Sequence, residues 1–139
     1  MYESLTAFIP CLEKGPYGRW PKQTGEGSPE TPFVFPVVLY EESVLLFIDE
    51  VYRFAREHEE TGLMNYGRIL SQSNIIGLDL ENISGIDVSS LDGITVTAII
   101  LGVIRGERQV TGIIFEYLES GCMQRLLRRL QYIDTTRDG

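Results

Sequence analysis

Apolar residues fill most positions of the segment 94–118, which is the most hydrophobic part of the chain. Eight of the eleven residues from 94 to 104 are β-branched, and this favours a β-hairpin with residues 105–108 as its turn. The apolar residues do not alternate with polar ones, however, and residues 89–92 are typical of a helix N-terminus, with a serine cap and an acidic first turn. We therefore predict an apolar central helix over residues 91–105, with the hairpin as the alternative.

Helical spacing of apolar residues predicts further helices around this segment. Residues 40–60 carry the clearest amphipathic stripe in the chain, and a shorter helix begins at Asn65. The helix predicted over residues 5–12 must kink or end near Ile9, because Pro10 lacks a backbone N–H. Two helices that follow the central segment, over residues 110–120 and 121–133, carry apolar residues at Val110, Ile113, Ile114, Tyr117 and Leu118, then at Met123, Leu126, Leu127, Leu130 and Ile133.

Residues 14–36 form a long connection without a regular pattern, and they hold four glycines and five of the six prolines. Connections of this length in a small domain are usually functional or disordered. The aromatic residues Tyr17, Trp20, Phe33 and Phe35 lie within it. They either pin a surface loop to the helical core, or Trp20 anchors a lid or partner-binding arm.

The pattern as a whole predicts an all-α fold, in which a compact single domain over residues 1–139 contains five or six helices around one apolar central helix. Residues 75–88 are expected to form a loop with at most a short helical turn. With 43% hydrophobic and 23% charged residues, the composition is typical of a soluble globular domain. The first residues show no signal-like block, so we expect a cytoplasmic protein with no membrane partner.

The net charge of −8 is unevenly distributed along the chain. Residues 1–104 carry 6 basic and 15 acidic residues, a net −9, while residues 105–139 carry 6 and 5, a net +1. This acidity weighs against nonspecific binding to nucleic acid. Cys11 and Cys122 match no metal or redox spacing and are expected to be buried free thiols, with a disulfide between them as the alternative.

No catalytic motif occurs in the sequence, and no cofactor or metal site is predicted. The best candidates for contact with a ligand or partner are Arg105, Glu107 and Arg108, together with Trp20 and Tyr17 from the long loop. Arg105 leaves an apolar helix, where a guanidinium needs a partner. It either locks this corner through a carboxylate of another helix, or it joins Arg108 in binding an anionic ligand or an acidic partner segment.

Three other clusters are weaker candidates. Residues 57–60 place three carboxylates beside His58, but consecutive helical residues diverge, so a charged helix end is expected rather than a metal site. Glu116 and Glu119 are expected to be solvated carboxylates rather than an acid–base pair. The best basic patch consists of three arginines that we expect to complement the C-terminal end of their own helix: Arg125, Arg128 and Arg129.

The sequence also resembles a family of small prokaryotic proteins known only as a domain of unknown function. The resemblance is carried by Phe8-Ile9-Pro10, Ile48-Asp49-Glu50-Val51-Tyr52, Gly62-Leu63-Met64-Asn65-Tyr66, Ile104-Arg105-Gly106-Glu107-Arg108, Gly112, Glu119-Ser120-Gly121 and Leu127-Arg128-Arg129-Leu130. It implies a helical fold, and therefore a helix over residues 94–104. The chain departs from it at Gln109-Val110, where the family tends to have an aromatic residue and a cysteine, so no thiol role is expected at this corner. Because the family has no assigned activity, the resemblance leaves function open.

We therefore expect a non-enzymatic interaction or accessory module, whose partner is another protein or a second copy of the chain. The alternative is a small ligand-binding protein or enzyme with a pocket between the loop 14–36 and the Arg105–Arg108 corner. A deep pocket that joins Trp20 or Tyr17 to these arginines would favour the alternative.

Overall fold

Eight α-helices account for most of the described residues, and they confirm the all-α class. The computed structural model of the protein describes residues 1–20 and 38–136. The described helices are α1 (Glu3–Thr6), α2 (Ile9–Lys14), α3 (Glu42–Glu57), α4 (Tyr66–Gln72), α5 (Leu80–Ser84), α6 (Gly93–Gly106), α7 (Ile113–Glu119) and α8 (Cys122–Thr136). A short sheet joins β1 (Gly18–Arg19) to β2 (Leu39–Tyr40), and 3-10 turns lie at Glu59–Thr61, Leu63–Asn65 and Val88–Ser90.

The helices outnumber the five or six expected because the N-terminal segment divides and α5 forms within residues 75–88. Pro10 lies in the first turn of α2, where a missing N–H loses no helical bond. The predicted interruption is therefore confirmed, and it falls between α1 and α2. The start of α5 is stabilised by Asp79, whose carboxylate accepts a hydrogen bond from the backbone N–H of Asn82 at 3.1 Å.

The central segment is a helix, α6, and the hairpin alternative is wrong. Asp92 caps α6 by accepting the backbone N–H of Thr95 at 2.7 Å. The predicted serine cap is wrong, because Ser89 and Ser90 belong to a separate 3-10 turn. A buried threonine is tolerated in α6 because the Thr97 hydroxyl donates to the carbonyl of Gly93 at 2.7 Å. The helix itself was thus predicted correctly, but it begins at Gly93 rather than at residue 91, and Asp92 caps it in place of a serine.

α6 occupies the middle of the core, as predicted for the apolar helix. It packs against α3, α4, α7 and α8, and every residue from 95 to 104 is buried. Gly102 allows this close packing, because a Cβ there would lie 2.5 Å from Cδ1 of Leu78. The buried residues of the surrounding helices, which include Phe47, Tyr117 and Leu126, belong to the same apolar cluster.

The first part of the loop 14–36 contains a short strand, although no regular element was expected there. β1 pairs with β2 in antiparallel register, with Gly18 opposite Tyr40 and Arg19 opposite Leu39. Gly18 is required at this position, because a Cβ would lie 2.7 Å from the carbonyl oxygen of Leu39. The pairing brings the segment with Tyr17 and Trp20 to the start of α3. Phe33 and Phe35 lie outside the described residues.

Candidate functional site

Glu107 holds the corner between α6 and α7 through three hydrogen bonds. Its Oε2 accepts the backbone N–H of Gly112 at 2.7 Å, and its Oε1 accepts that of Ile114 at 3.0 Å. Oε1 also accepts the hydroxyl of Tyr40 at 2.9 Å, while that hydroxyl accepts the N–H of Phe115 at 3.1 Å. Burial, reinforced by the neighbouring carboxylate, raises the pKa of Tyr40. Glu107 and Tyr40 together therefore satisfy three N–H groups at the start of α7.

Trp20 lies against the same corner. Its ring covers Gly112, where a Cβ would lie 2.7 Å from Cζ2 of the indole. Gly112 has a φ of +90°, a conformation that also favours glycine. Trp20 remains 46% exposed. The structure thus brings two of the predicted candidates, Trp20 and Glu107, into contact with the same glycine.

Arg105 and Arg108 are exposed at this corner. The Arg105 guanidinium lies over the ring of Tyr66, with its Cζ 5.9 Å from the ring centroid. Arg105 was expected to pair with a carboxylate of another helix. The contact that the structure describes for it is instead with an aromatic ring on α4. The carboxylate of the corner, Glu107, instead binds backbone N–H groups and a phenol.

The side chain of Tyr17 contacts α8. Its hydroxyl is 3.0 Å from Nε2 of Gln124, which also donates to the carbonyl oxygens of Leu12 at 2.7 Å and Leu118 at 3.0 Å. Gln124 is buried. Sequence reasoning missed it, although a glutamine next to Met123, on the apolar side of a predicted amphipathic helix, is a signal for a buried polar link.

The three arginines of α8 line a groove that sequence reasoning ranked below the corner. We call it the arginine groove. It has a volume of about 560 Å³, and it is lined by Ile86, Asp87, Val88, Ser89, Arg125, Arg128, Arg129 and Tyr132. Apolar side chains and the arginine stems form much of its surface. It therefore offers both positive charge and apolar contact.

Two arginines of this groove are held in place by backbone carbonyl groups. Arg125 Nη2 donates to the carbonyl of Ile83 at 3.0 Å, and Arg129 donates through Nε and Nη2 to that of Leu91 at 3.1 and 3.0 Å. The expectation that the arginines complement their own helix end is wrong, because α8 continues to Thr136 and its last turn contains no basic residue. Arg125 instead attaches α5 to α8, and Arg129 attaches the segment before α6 to α8.

The remaining charges of the groove leave it positive. A guanidinium carries five N–H donors, and the bonds to the carbonyl groups use one at Arg125 and two at Arg129. Arg128 pairs with Glu13 at the exposed edge. Asp87 lies on the opposite wall; hydrogen bonds from Ser89, with a smaller contribution from the nearby arginines, lower the pKa of its carboxyl group. Among the described residues, two carboxylates, Asp87 in the lining and Glu13 at the edge, thus face three arginines.

The other candidate groups lie apart. His58 Nδ1 is 3.3 Å from Oε1 of Glu60, and its ring centroid is 4.3 Å from that of Phe54. Within residues 1–20 and 38–136, no group of three His, Cys, Asp or Glu side chains is arranged to hold a metal ion. Both cysteines are free thiols, but the expectation of burial is wrong for Cys11, which is exposed. Burial raises the pKa of the other, Cys122.

The fold and these contacts define a small all-α protein with a basic, partly apolar groove between α8 and residues 86–89. No helix in the described part of the chain is long and apolar enough to cross a membrane. The chain belongs to a family of unknown function (DUF6508), whose model matches residues 2–136. No curated protein and no solved structure matches it.

Proposed function

We propose that this protein is a non-enzymatic interaction module that binds an acidic, partly apolar segment of a partner in the arginine groove. One observation carries the proposal. Arg125 and Arg129 are fixed by carbonyl groups of the neighbouring segment, yet those bonds use only some of their donors. Side chains that are already ordered lose less conformational entropy when a partner binds.

The chemistry of the groove indicates the kind of partner. Guanidinium groups form paired, charge-assisted hydrogen bonds with carboxylates. Ile86, which is half-buried, and Tyr132, which is exposed, supply apolar contact beside them. A segment that combines Asp or Glu with Leu, Ile or Phe would satisfy both features of the groove, whereas a nucleic acid would encounter the repulsion of a chain with a net charge of −8.

The corner with Arg105 and Arg108 remains the alternative site, for a small anionic ligand. Both side chains are exposed there, and Trp20 lies nearby against Gly112. The bonds of Glu107 to the start of α7 favour a structural role for the carboxylate of this corner. We therefore place the partner-binding site on α8.

Binding of random peptides displayed on phage tests the proposal. Selection against the immobilised protein should enrich sequences in which acidic residues alternate with aliphatic or aromatic ones. Synthetic versions should bind the Arg128→Ala variant about tenfold more weakly or worse, because Arg128 is a groove donor whose described ion pair lies at the surface. Arg68→Ala, which removes another exposed arginine, from α4, is the matched control and should bind normally.

Three outcomes would reject the groove. They are selection without acidic enrichment, binding that survives Arg128→Ala, and binding that is lost equally in Arg68→Ala. A thermal-shift screen with nucleotides and anionic metabolites addresses the alternative site. A stabilising compound whose effect is lost in Arg108→Ala but retained in Arg128→Ala would transfer the binding site to the corner.

We also propose a cytoplasmic location and a prokaryotic origin. Two free thiols, at Cys11 and Cys122, are compatible with a reducing compartment. The origin rests on the sequence resemblance alone.

A further inference from the structure

The outer face of α3 has the composition that the arginine groove should recognise. Glu42, Leu45, Leu46 and Asp49 follow the spacing i, i+3, i+4 and i+7, and all four are exposed. The two leucines are 49% and 51% exposed. We call these four residues the acidic leucine stripe. It places two adjacent apolar side chains between two carboxylates.

The core does not require this stripe. α3 faces the core through another set of side chains: Val44, Phe47, Val51, Phe54 and Ala55. Replacing Leu45 and Leu46 by polar residues would therefore leave the internal packing of α3 intact. A single exposed leucine needs no explanation, but a pair bounded by acids on one helix face is a chemically defined surface.

The stripe and the groove lie on different elements of the chain. α3 packs against α1, α2 and α6, while the groove is formed by residues 86–89 and α8. The two sides of the groove are joined by the hydrogen bonds of Arg125 and Arg129 to backbone carbonyl groups. Contact between the two surfaces therefore joins two copies of the chain.

We propose that the arginine groove of one copy binds the acidic leucine stripe of a second copy. The inference rests on the proposed function, since it names the segment that the groove recognises. Glu42 and Asp49 supply carboxylates to the arginines, while Leu45 and Leu46 contact the apolar surface at Ile86 and Tyr132. The uneven charge supports this pairing, because residues 1–104 carry a net −9 and residues 105–139 a net +1.

Such a contact is heterologous, because the two copies use different surfaces. Each dimer then retains one free stripe and one free groove, so further copies can add at both ends. The assembly grows into an open filament unless the rotation between neighbouring copies closes it into a ring. Because the contact pairs carboxylates with guanidinium groups at the surface, added salt should weaken it. Assembly that increases with protein concentration and decreases with salt is the expected behaviour.

Sedimentation velocity of complementary variants provides the decisive experiment. Arg128→Glu disables the groove and retains the stripe, whereas Leu46→Glu does the reverse. Each variant alone should sediment as a monomer at concentrations where the natural protein assembles. An equimolar mixture should form a one-to-one dimer that grows no further, because only one functional groove and one functional stripe meet.

Two control variants make the same chemical changes elsewhere. Arg68→Glu reverses an exposed arginine on α4, and Ile76→Glu replaces an apolar side chain that is 95% exposed. Both should assemble like the natural protein. Thermal unfolding followed by circular dichroism verifies that all four variants are folded.

A natural protein that stays monomeric at low salt and high concentration would overturn the inference, as would variants that assemble alone or a mixture that stays monomeric. The peptide experiment separates this failure from that of the proposed function. Peptides that bind the natural protein but not Arg128→Ala would retain the groove as a partner site and exclude the second copy. Failure of both experiments would remove the groove from consideration.

Discussion

The corner between α6 and α7 and the arginine groove both expose charged side chains, but they use them differently. At the corner, Glu107 accepts two backbone N–H groups and the hydroxyl of Tyr40, so its oxygens are bonded to its own chain. In the groove, Arg125 and Arg129 bond carbonyl groups with only part of their donors. The Glu107 carboxylate is used for folding. The guanidinium groups of Arg125 and Arg129 are held in position and keep N–H donors that these bonds do not use.

This difference separates stability from binding. A carboxylate that caps backbone N–H groups stabilises the fold, and its loss leaves those groups without a partner. An arginine that is held in place but retains free donors can contact a partner without changing the fold. We therefore expect substitutions at the corner to lower the free energy of unfolding, and substitutions at the edge of the groove to change binding alone.

The largest effect is expected for Glu107→Ala. The backbone N–H groups of Gly112 and Ile114 would lose their acceptor, and the Tyr40 hydroxyl would lose its partner. We expect the free energy of unfolding to fall by about 3 kcal/mol, which urea denaturation followed by circular dichroism would measure. Glu116→Ala removes an exposed carboxylate from the same region and is the matched control, with an expected change of about 0.5 kcal/mol or less.

Equal stability of Glu107→Ala and Glu116→Ala would contradict the comparison. It would show that water replaces the carboxylate at the start of α7 without loss. Glu107 would then be free to contact a ligand, as the sequence hypothesis of a site at this corner requires.

A smaller effect is expected for Tyr40→Phe, which removes one donor to Glu107 and one acceptor from Phe115. The free energy of unfolding should fall by about 1–2 kcal/mol at neutral pH. The variant should also be less sensitive to alkali. Because the pKa of Tyr40 is raised in the folded protein, its contribution is complete below the unfolded pKa of about 10 and is lost as the pH rises above it.

Urea denaturation at a series of pH values from neutral to alkaline would measure this difference. The gap in stability between the natural protein and Tyr40→Phe should narrow above the unfolded tyrosine pKa. Tyr117, whose pKa is also raised by burial, is present in both proteins and provides the common background. A gap that stays constant or widens with pH would show that the Tyr40 phenol is not held in its neutral form.

The helical core could be predicted because it depends on local periodicity. The apolar spacing of residues 110–133 and the polar residues before α6 predicted that residues 94–104 form a helix. They did so although the β-branched composition of this segment favours a strand. The structure shows why this composition is tolerated: α6 is enclosed by four helices, and the Thr97 hydroxyl bonds its own backbone. Tertiary packing has outweighed intrinsic propensity.

The site could be predicted only in part, because its contacts join residues far apart in the chain. Glu107 was recognised as a candidate, but its partner Tyr40 lies 67 positions away, and no local pattern encodes that bond. The α8 arginines were recognised as a basic patch. Their carbonyl partners, Ile83 and Leu91, lie in a segment that lacks a clear periodicity.

The smallest effect on stability is expected for Arg128→Ala. Its ion pair with Glu13 joins side chains that are 56% and 39% exposed, and such surface pairs contribute little because solvent screens them. The free energy of unfolding should change by about 0.5 kcal/mol or less, in contrast to Glu107→Ala. A substantial loss in urea denaturation would show that Arg128, like Glu107, is committed to the fold, and the contrast between the two regions would then fail at the residue on which the binding experiments depend.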